Sequence, residues 1–352
     1  MAVYTDSPRY AAAVLPDQVV RQLTPVDDPD PGIDPLLGSI FQGDRGVHQA
    51  AWDLFPYPIL ISEYSPRSQY DQLIRLARNR AGLPKQTACL AGSGRDFHGF
   101  KGRSWAAVPG NIHLSVHLAP NRPVGNFHVA FTALAALSVA EAIDQLGELP
   151  TRPGIKWVND ILMGSAKVAG VLAYTLSRDT TVTSVVLGFG VNVEATPRVR
   201  PTPFVPEVAS LRDFLPPTGP DRRAEVFRSL LEALDRNYRT LLVEGATPLL
   251  KRYRERSMIM GREVTVCTEA SDRSLKIVDQ GMVTGFGENL ELFLDGRSAP
   301  ITGGRLILGR VTIEEGRWAS EPSELPEAQS VPELASTPET RGSQTTGPAQ
   351  WR

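Results

Sequence analysis

Cysteine is nearly absent from this chain: two in 352 residues, Cys89 and Cys267, far apart. Two such thiols build neither a disulfide framework nor a ligand set with metal spacing, so reduced, structural cysteines are expected. Net charge is small as well. Thirty-seven basic and 39 acidic residues leave a formal −2, which gives no global attraction to nucleic acid or anionic lipid. No apolar run approaches the ~18–20 residues that cross a bilayer. Residues 1–16 lack the basic start and apolar stretch of a secretory signal. By elimination the expected location is the cytoplasm, with neither membrane nor nucleic acid as partner. The remainder, 41% hydrophobic and 22% charged, is ordinary globular composition, and the length suggests about two folded units of ~100–200 residues.

Both ends read as poorly ordered. Residues 1–45 are rich in proline and aspartate (Pro25, Pro29, Pro31 and Pro35 among them) and are expected to be disordered or extended. They are also a poor helix-turn-helix, which argues against a DNA-binding repressor. Residues 318–352 are rich in Pro, Glu, Ser and Thr and nearly free of large apolar side chains, so they cannot offset the entropy of ordering. Between the ends the pattern is mixed α/β. Residues 59–61, 112–118, 168–176 and 182–193 read as strands. Residues 70–80, 129–146 and 223–242 carry apolar side chains at helical spacing. After proline-rich stretches near 197–206 and 215–220, and the helix that follows, residues 257–309 give short strands punctuated by Gly and Asp, a small antiparallel barrel or sandwich. The expected units are therefore 46–250 and 257–312.

Three segments carry candidate chemistry. Residues 92–105 hold Gly92, Gly94, Gly99 and Gly102 interleaved with Arg95, Lys101 and Arg103 and end on Trp105. Glycines let a backbone approach phosphate and the cations neutralise it; a solvated basic loop fits the composition equally. Phe97 stands where a dinucleotide fingerprint needs glycine, and Gly99 is not followed by the Lys-Ser/Thr of a P-loop. The second segment runs Lys156-Trp157-Val158-Asn159-Asp160, then Lys167 to Gly170 after a Gly-Ser turn: two lysines, an amide and a carboxylate on a hairpin. Turn chemistry alone could also account for Asn159 and Asp160. The third is Gly188-Phe189-Gly190-Val191-Asn192, glycines within a β-branched run, which mark a close backbone approach or a bulge, packing alone being the commoner cause. His113 and His117 sit ~13 Å apart on an extended strand, too far to share a metal.

Taken in order, these segments resemble the biotin protein ligase family, related to lipoate ligases and octanoyltransferases. That family carries a Gly/Arg-rich loop ending in Gly-Arg-x-Trp, then Asn-x-x-x-Ser (here Asn111 and Ser115), Lys-Trp-Pro-Asn-Asp, Lys-x-x-Gly and Gly-x-Gly-x-Asn. The resemblance covers about residues 55–310 and implies an α/β fold of the class II synthetase-like kind: a mixed sheet flanked by helices, followed by a small SH3-like β-barrel. It implies ATP and Mg²⁺ as cofactors, biotin as substrate, the lysine-bearing carrier domain of an acceptor protein as partner, and a homodimer as one assembly.

By the same resemblance Lys167, Arg103 and Asp160 are the catalytic candidates. Gly92, Gly94, Arg95, Gly102, Trp105, Lys156, Asn159 and Asn192 would hold ATP or the adenylate. Ser68, Gln69, Cys89, Ser115 and Gly170 would line the acid pocket, and Asn159 and Asp160 would orient Mg²⁺ or the incoming amine. The chain departs from the family in places. Ser93 replaces the loop's first arginine, residues 96–101 are inserted, and Val158 replaces proline. Ser-Pro-Arg-Ser-Gln-Tyr (65–70) stands for the family's Ser-Thr-Asn, and Cys89 for its Gln. Those polar groups hold a ureido ring, and a site built on such bonds discriminates by them. Lipoate or octanoate would be less affected, and a non-catalytic acid- or adenylate-binding homologue is the third reading.

Overall fold

The computed structural model describes residues 2–27, 29–41, 46–79, 82–147, 149–269 and 275–311. The tail read as disordered, 318–352, lies outside them. The N-terminal part comprises β1 (Ala2–Thr5), α1 (Pro8–Ala11), α2 (Asp17–Val20), β2 (Thr24–Pro25), α3 (Asp34–Phe41) and β3 (His48–Ala51). There follow β4 (Ile59–Ser65), α4 (Gln69–Arg78), β5 (Gln86–Gly94), β6 (Ile112–Leu118), β7 (Arg122–Pro123) and α5 (Phe127–Asp144). Next come β8 (Gly154–Lys156), β9 (Asp160–Met163), β10 (Ala166–Arg178), β11 (Thr181–Val191), α6 (Arg223–Glu244) and α7 (Thr247–Arg256). The C-terminal strands are β12 (Glu263–Glu269), β13 (Leu275–Phe286), β14 (Leu292–Leu294) and β15 (Arg305–Leu308).

One large mixed sheet runs β2-β3-β1-β4-β5-β6-β11-β10-β9-β8, with β7 on the end of β11. β1, β4 and β5 are parallel neighbours; β6, β11, β10, β9 and β8 form an antiparallel run. Alternation along the central strands feeds two cores. Ile59, Ile61, Ala88 and Leu90 face the layer of α5, α6 and α7, while Leu60 and Cys89 face α3 and α4 with Leu73 and Ile40. Among the described helices α5 alone has the length and composition of a membrane span, against the expectation that no apolar run approaches one. It packs on β10 and β11 beneath α6 and α7, and twelve of its residues are buried, as a core helix requires.

The N-terminal segment is folded, contrary to the sequence reading. β1 lies inside the sheet, parallel to β4 (Val3 opposite Ile59) and antiparallel to β3. Tyr10, Ala11, Val14, Leu15 and Val19 are buried in the main core. The prolines that suggested disorder serve as punctuation. Pro8 opens α1 behind the N-cap Ser7, whose hydroxyl accepts from Tyr10 N at 3.2 Å. Pro16 is the N-cap of α2, Pro35 sits in the first turn of α3, and Pro25 lies on the outermost strand. These are the places where a missing N–H costs nothing.

The C-terminal strands form a separate antiparallel sheet, β14-β13-β12-β15, over a core of Val264, Val266, Val283, Leu292 and Leu306. Trp157 packs against that core and donates from Nε1 to Leu290 O at 2.8 Å, which fastens the sheet to the β8–β9 turn.

Leu15→Ala tests the reassigned N-terminus. Leu15 is 3% exposed, and emptying such a site costs ~2–5 kcal/mol. Chemical denaturation is expected to register a loss in that range; a change under ~0.5 kcal/mol would mean that the segment does not share the core.

Candidate functional site

A cleft of about 800 Å³ opens over the ends of β6, β10 and β11. Its floor is set by strand register. Gly170 on β10 pairs with Gly190 on β11, which pairs with His113 on β6. The Trp105 indole lies along this row. A Cβ on Gly190 would stand 2.3 Å from the Trp105 ring, so only glycine admits the indole there. Trp105 Nε1 donates to His113 Nδ1 at 3.2 Å. The next row is Leu172, Gly188, Ser115 and Cys89. Tyr70 packs over Gly188, and Ser115 lines the cleft.

The hairpin supplies the charges. Lys167 Nζ is 2.6 Å from Asp160 Oδ1 and 5.6 Å above the Trp105 ring. The bulge in β10 between Lys167 and Ala169 accompanies this geometry. Burial opposes ionisation of Asp160, yet the charge and hydrogen bond of Lys167, with Lys156 and Arg103 behind, hold its carboxyl below the usual carboxylate range. Lys156 is 4% exposed, and its Nζ donates to Phe204 O. Burial, with Lys167, Arg305 and Arg103 nearby, pulls its ammonium down to about 8 against the pull of Asp160. The Arg305 guanidinium, on β15, stacks 3.5 Å over the Phe204 ring. Phe204 thus steadies one cation with its carbonyl and another with its ring.

Arg103 and Lys167 line the same cleft, with Lys156 and Arg305; Lys101 and Arg200 stand more exposed at its mouth. Against these six cations the lining has one carboxylate, Asp160. Such a site favours a ligand or ligand pair bearing several negative charges. Asn159 is held by Nδ2 donating to Val171 O at 2.8 Å. Asn192 is buried and donates to Ala209 O at 3.0 Å, leaving its Oδ1 without a partner beside the cleft. Among the described residues no group of three His, Cys, Asp or Glu side chains gathers to cage a Mg²⁺; Asp160 is paired with Lys167, and Asn159 gives only its Nδ2 to Val171 O, so its Oδ1 is the atom that would meet such an ion.

Other expected residues fall elsewhere. Gly92, Gly94, Arg95 and Gly102 are not on the cleft wall. Gly92 is forced by packing: a Cβ would meet the Tyr10 ring at 2.7 Å, and one on Gly94 would meet Ser65 O at 2.3 Å. Arg95 is exposed, its backbone N–H bonded to Ser65 O. Gly102 takes φ +72° to turn the inserted segment. Ser68 lines the cleft and caps α4, whereas Gln69 is fully buried off the wall with both amide atoms unpartnered. Cys89 is sealed under α4, and burial pushes its thiol up. The insertion folds on itself: His98 bridges Ser104, and His98 Nε2 meets Asp71 of α4 at 2.9 Å. Phe204 and Arg305 were not foreseen, since one lies in a stretch read as a separator and the other on a distant strand.

The family model for the Biotin/lipoate A/B protein ligase family matches residues 68–192. The bifunctional ligase/repressor BirA of Bacillus subtilis is 28% identical over 214 residues, 59% of this chain and 63% of that protein. A biotin--[acetyl-CoA-carboxylase] ligase of Mycobacterium tuberculosis is 34% identical over 181 residues, 49% of this chain and 60% of its own length. The chain thus spans under two thirds of these relatives. A solved biotin protein ligase from Aquifex aeolicus, in complex with biotin and ATP, aligns with a TM-score of 0.55 at 22% identity over 73% of this chain and all of that one, a likeness of fold.

His113 gives the site a measurable pH dependence. Burial drops its pKa from 6.5 to about 4, so the folded state holds fewer protons than the unfolded one between those values. The stability is present above pH ~6.5 and is lost as pH falls toward ~4, a difference on the order of 3 kcal/mol. His113→Gln keeps an acceptor for Trp105 and removes the titration. The variant's unfolding free energy is expected to fall less than wild type's between pH 7 and pH 4.5; identical falls would refute neutral burial of His113.

Proposed function

Because this chain belongs to the Biotin/lipoate A/B protein ligase family, we propose that it is an ATP-dependent biotin–protein ligase. It activates biotin as the acyl-adenylate and passes the acyl group to a lysine of a carboxylase carrier domain. The observation that carries this reading is the convergence of Arg103, Lys156, Lys167 and Arg305 on one cleft around a single carboxylate. The two reactants of the first step, a carboxylate and a triphosphate, are both anions. Their approach needs fixed positive charge that strengthens its hold as charge develops.

In the first step a biotin carboxylate oxygen attacks the α-phosphorus of ATP, and pyrophosphate leaves with the P–O bonding pair. Lys167, between the Trp105 floor and Asp160, is suited to bridge the two anions. Asp160 orients the Lys167 ammonium and keeps it in register. In the second step the neutral lysine amine of the acceptor attacks the acyl carbon, AMP departs with the C–O pair, and the amine sheds a proton. The Aquifex protein's complex with biotin and ATP supports both ligands.

A second reading has its own observation. Cys89 is sealed beneath α4, and the small hydroxyls Ser68 and Ser115 face the cleft beside Leu172 and Tyr70. That lining also suits the apolar tail of lipoate or octanoate. Acid-dependent exchange of pyrophosphate into ATP, run with biotin, lipoate and octanoate in turn, separates the two. Exchange with biotin alone is expected, exchange with another acid moves the assignment to that acid, and exchange with none leaves a non-catalytic binding protein. Lys167→Ala should lower exchange by about 10²-fold or more with an unchanged circular-dichroism spectrum. Wild-type exchange in that variant would overturn the role given to Lys167.

A further inference from the structure

Two of the exposed large apolar side chains, Phe100 at 53% and Val199 at 47%, stand at the mouth of this one cleft. They come from unrelated stretches, Phe100 from the insertion between β5 and β6 and Val199 from the segment after β11. A single exposed apolar residue is ordinary; two at one mouth, each framed by cations, form a pattern. Lys101 Nζ and the Arg103 guanidinium lie 5.8 and 6.0 Å from the Phe100 ring. Arg198 and Arg200, both exposed, flank Val199. Residues 195–206 contain no carboxylate, and the insertion contains only Asp96. Glu207 is engaged by the Ser165 hydroxyl at 2.7 Å. Pro197, Pro201 and Pro203 restrict the backbone of the second segment, which lowers the entropy lost on docking.

We propose that Phe100 and Val199, with Lys101, Arg198 and Arg200, are the docking rim for the acceptor: a folded domain presenting its target lysine among carboxylates and an apolar side chain or two. This deepens the ligase reading and rests on it. Charge complementarity selects the occupant. Six cations outnumber Asp160 and the single phosphate charge of the bound acyl-adenylate, so an approaching ammonium meets a net positive field, and carboxylates around the acceptor lysine offset it. The same field favours the neutral amine, which is the form that attacks the adenylate. The apolar tips supply non-directional contact, and the charges supply orientation and rate of encounter.

The two half-reactions separate docking from activation. The variants are Phe100→Ser with Val199→Ser, and Arg198→Glu alone. The probes are the purified biotin carrier domain of an acetyl-CoA carboxylase and the same domain with the acidic residues beside its target lysine changed to amides. In both variants pyrophosphate exchange is expected within about twofold of wild type, while the KM for the carrier domain in the transfer step rises about tenfold. Arg198→Glu should also lose part of the salt dependence of transfer, and the amidated carrier should bind wild type as poorly as the native carrier binds Arg198→Glu. An unchanged carrier KM in both variants, or an equal fall in exchange and transfer, overturns the docking rim. No exchange by wild type with any acid would remove the ligase reading itself, and the rim with it.

Discussion

Like charges at short range repel, and this fold holds Arg103, Lys156, Lys167 and Arg305 around one cleft regardless. At an effective dielectric of ~20, two unit charges 4 Å apart interact by about 4 kcal/mol, so the rest of the site reads as the means of tolerating that repulsion. Asp160 is the central counter-charge, 2.6 Å from Lys167 and close enough to Lys156 to oppose its loss of a proton. The Phe204 carbonyl takes the Lys156 ammonium, and the Phe204 ring takes the Arg305 guanidinium. Burial above all, and then the neighbouring Lys167, Arg305 and Arg103, nonetheless hold the Lys156 ammonium down to about 8. An anionic ligand relieves the remainder, so affinity for such a ligand is stored in the unliganded arrangement.

The neutral half of the site has a different logic. Trp105 is fixed from below by the paired glycines at 170 and 190 and at its edge by the His113 imidazole. A neutral His113 accepts the indole hydrogen bond; an imidazolium could not, and would add a further charge to a cationic site. Burial of His113 on β6 keeps it neutral through the physiological range and so keeps the aromatic floor in place beside Lys167.

The hairpin from Asp160 to Gly170 was readable because its Gly-Ser turn is local, whereas the turn at 157–159, which puts Lys156 on β8 and Asn159 outside any strand, was not. The glycines at 188 and 190 were readable as a close approach, although the approaching groups, Tyr70 and Trp105, could not be named from spacing. Gly92 and Gly94 misled for the same reason. A glycine records that something is near and not what it is, and here it is Tyr10 and the Ser65 carbonyl. The N-terminal segment misled because composition was weighed without position: proline disfavours a helix interior, yet it opens α1 and α3. Phe204 and Arg305 carried no local signal, because their meeting depends on a docking of separate segments that sequence distance conceals.

That docking changes the status of the C-terminal sheet. Were it an appended module, its removal would leave the cleft intact. Trp157, inside the segment that bears Lys156 and Asp160, packs on the sheet's core and donates to Leu290 O. Asn126, just before α5, donates to Glu288 O, and Arg254 of α7 donates to Gly287 O. Arg305 reaches the cleft from β15 itself. Trp157 thus ties the seating of the sheet to the turn that bears Lys156 and Asp160, while Asn126 and Arg254 hold the sheet from α5 and α7. A ligand that draws Arg305 and Lys167 toward a common set of negative charges also tightens the sheet against the β8–β9 turn, because the linkage between ligand binding and docking is reciprocal.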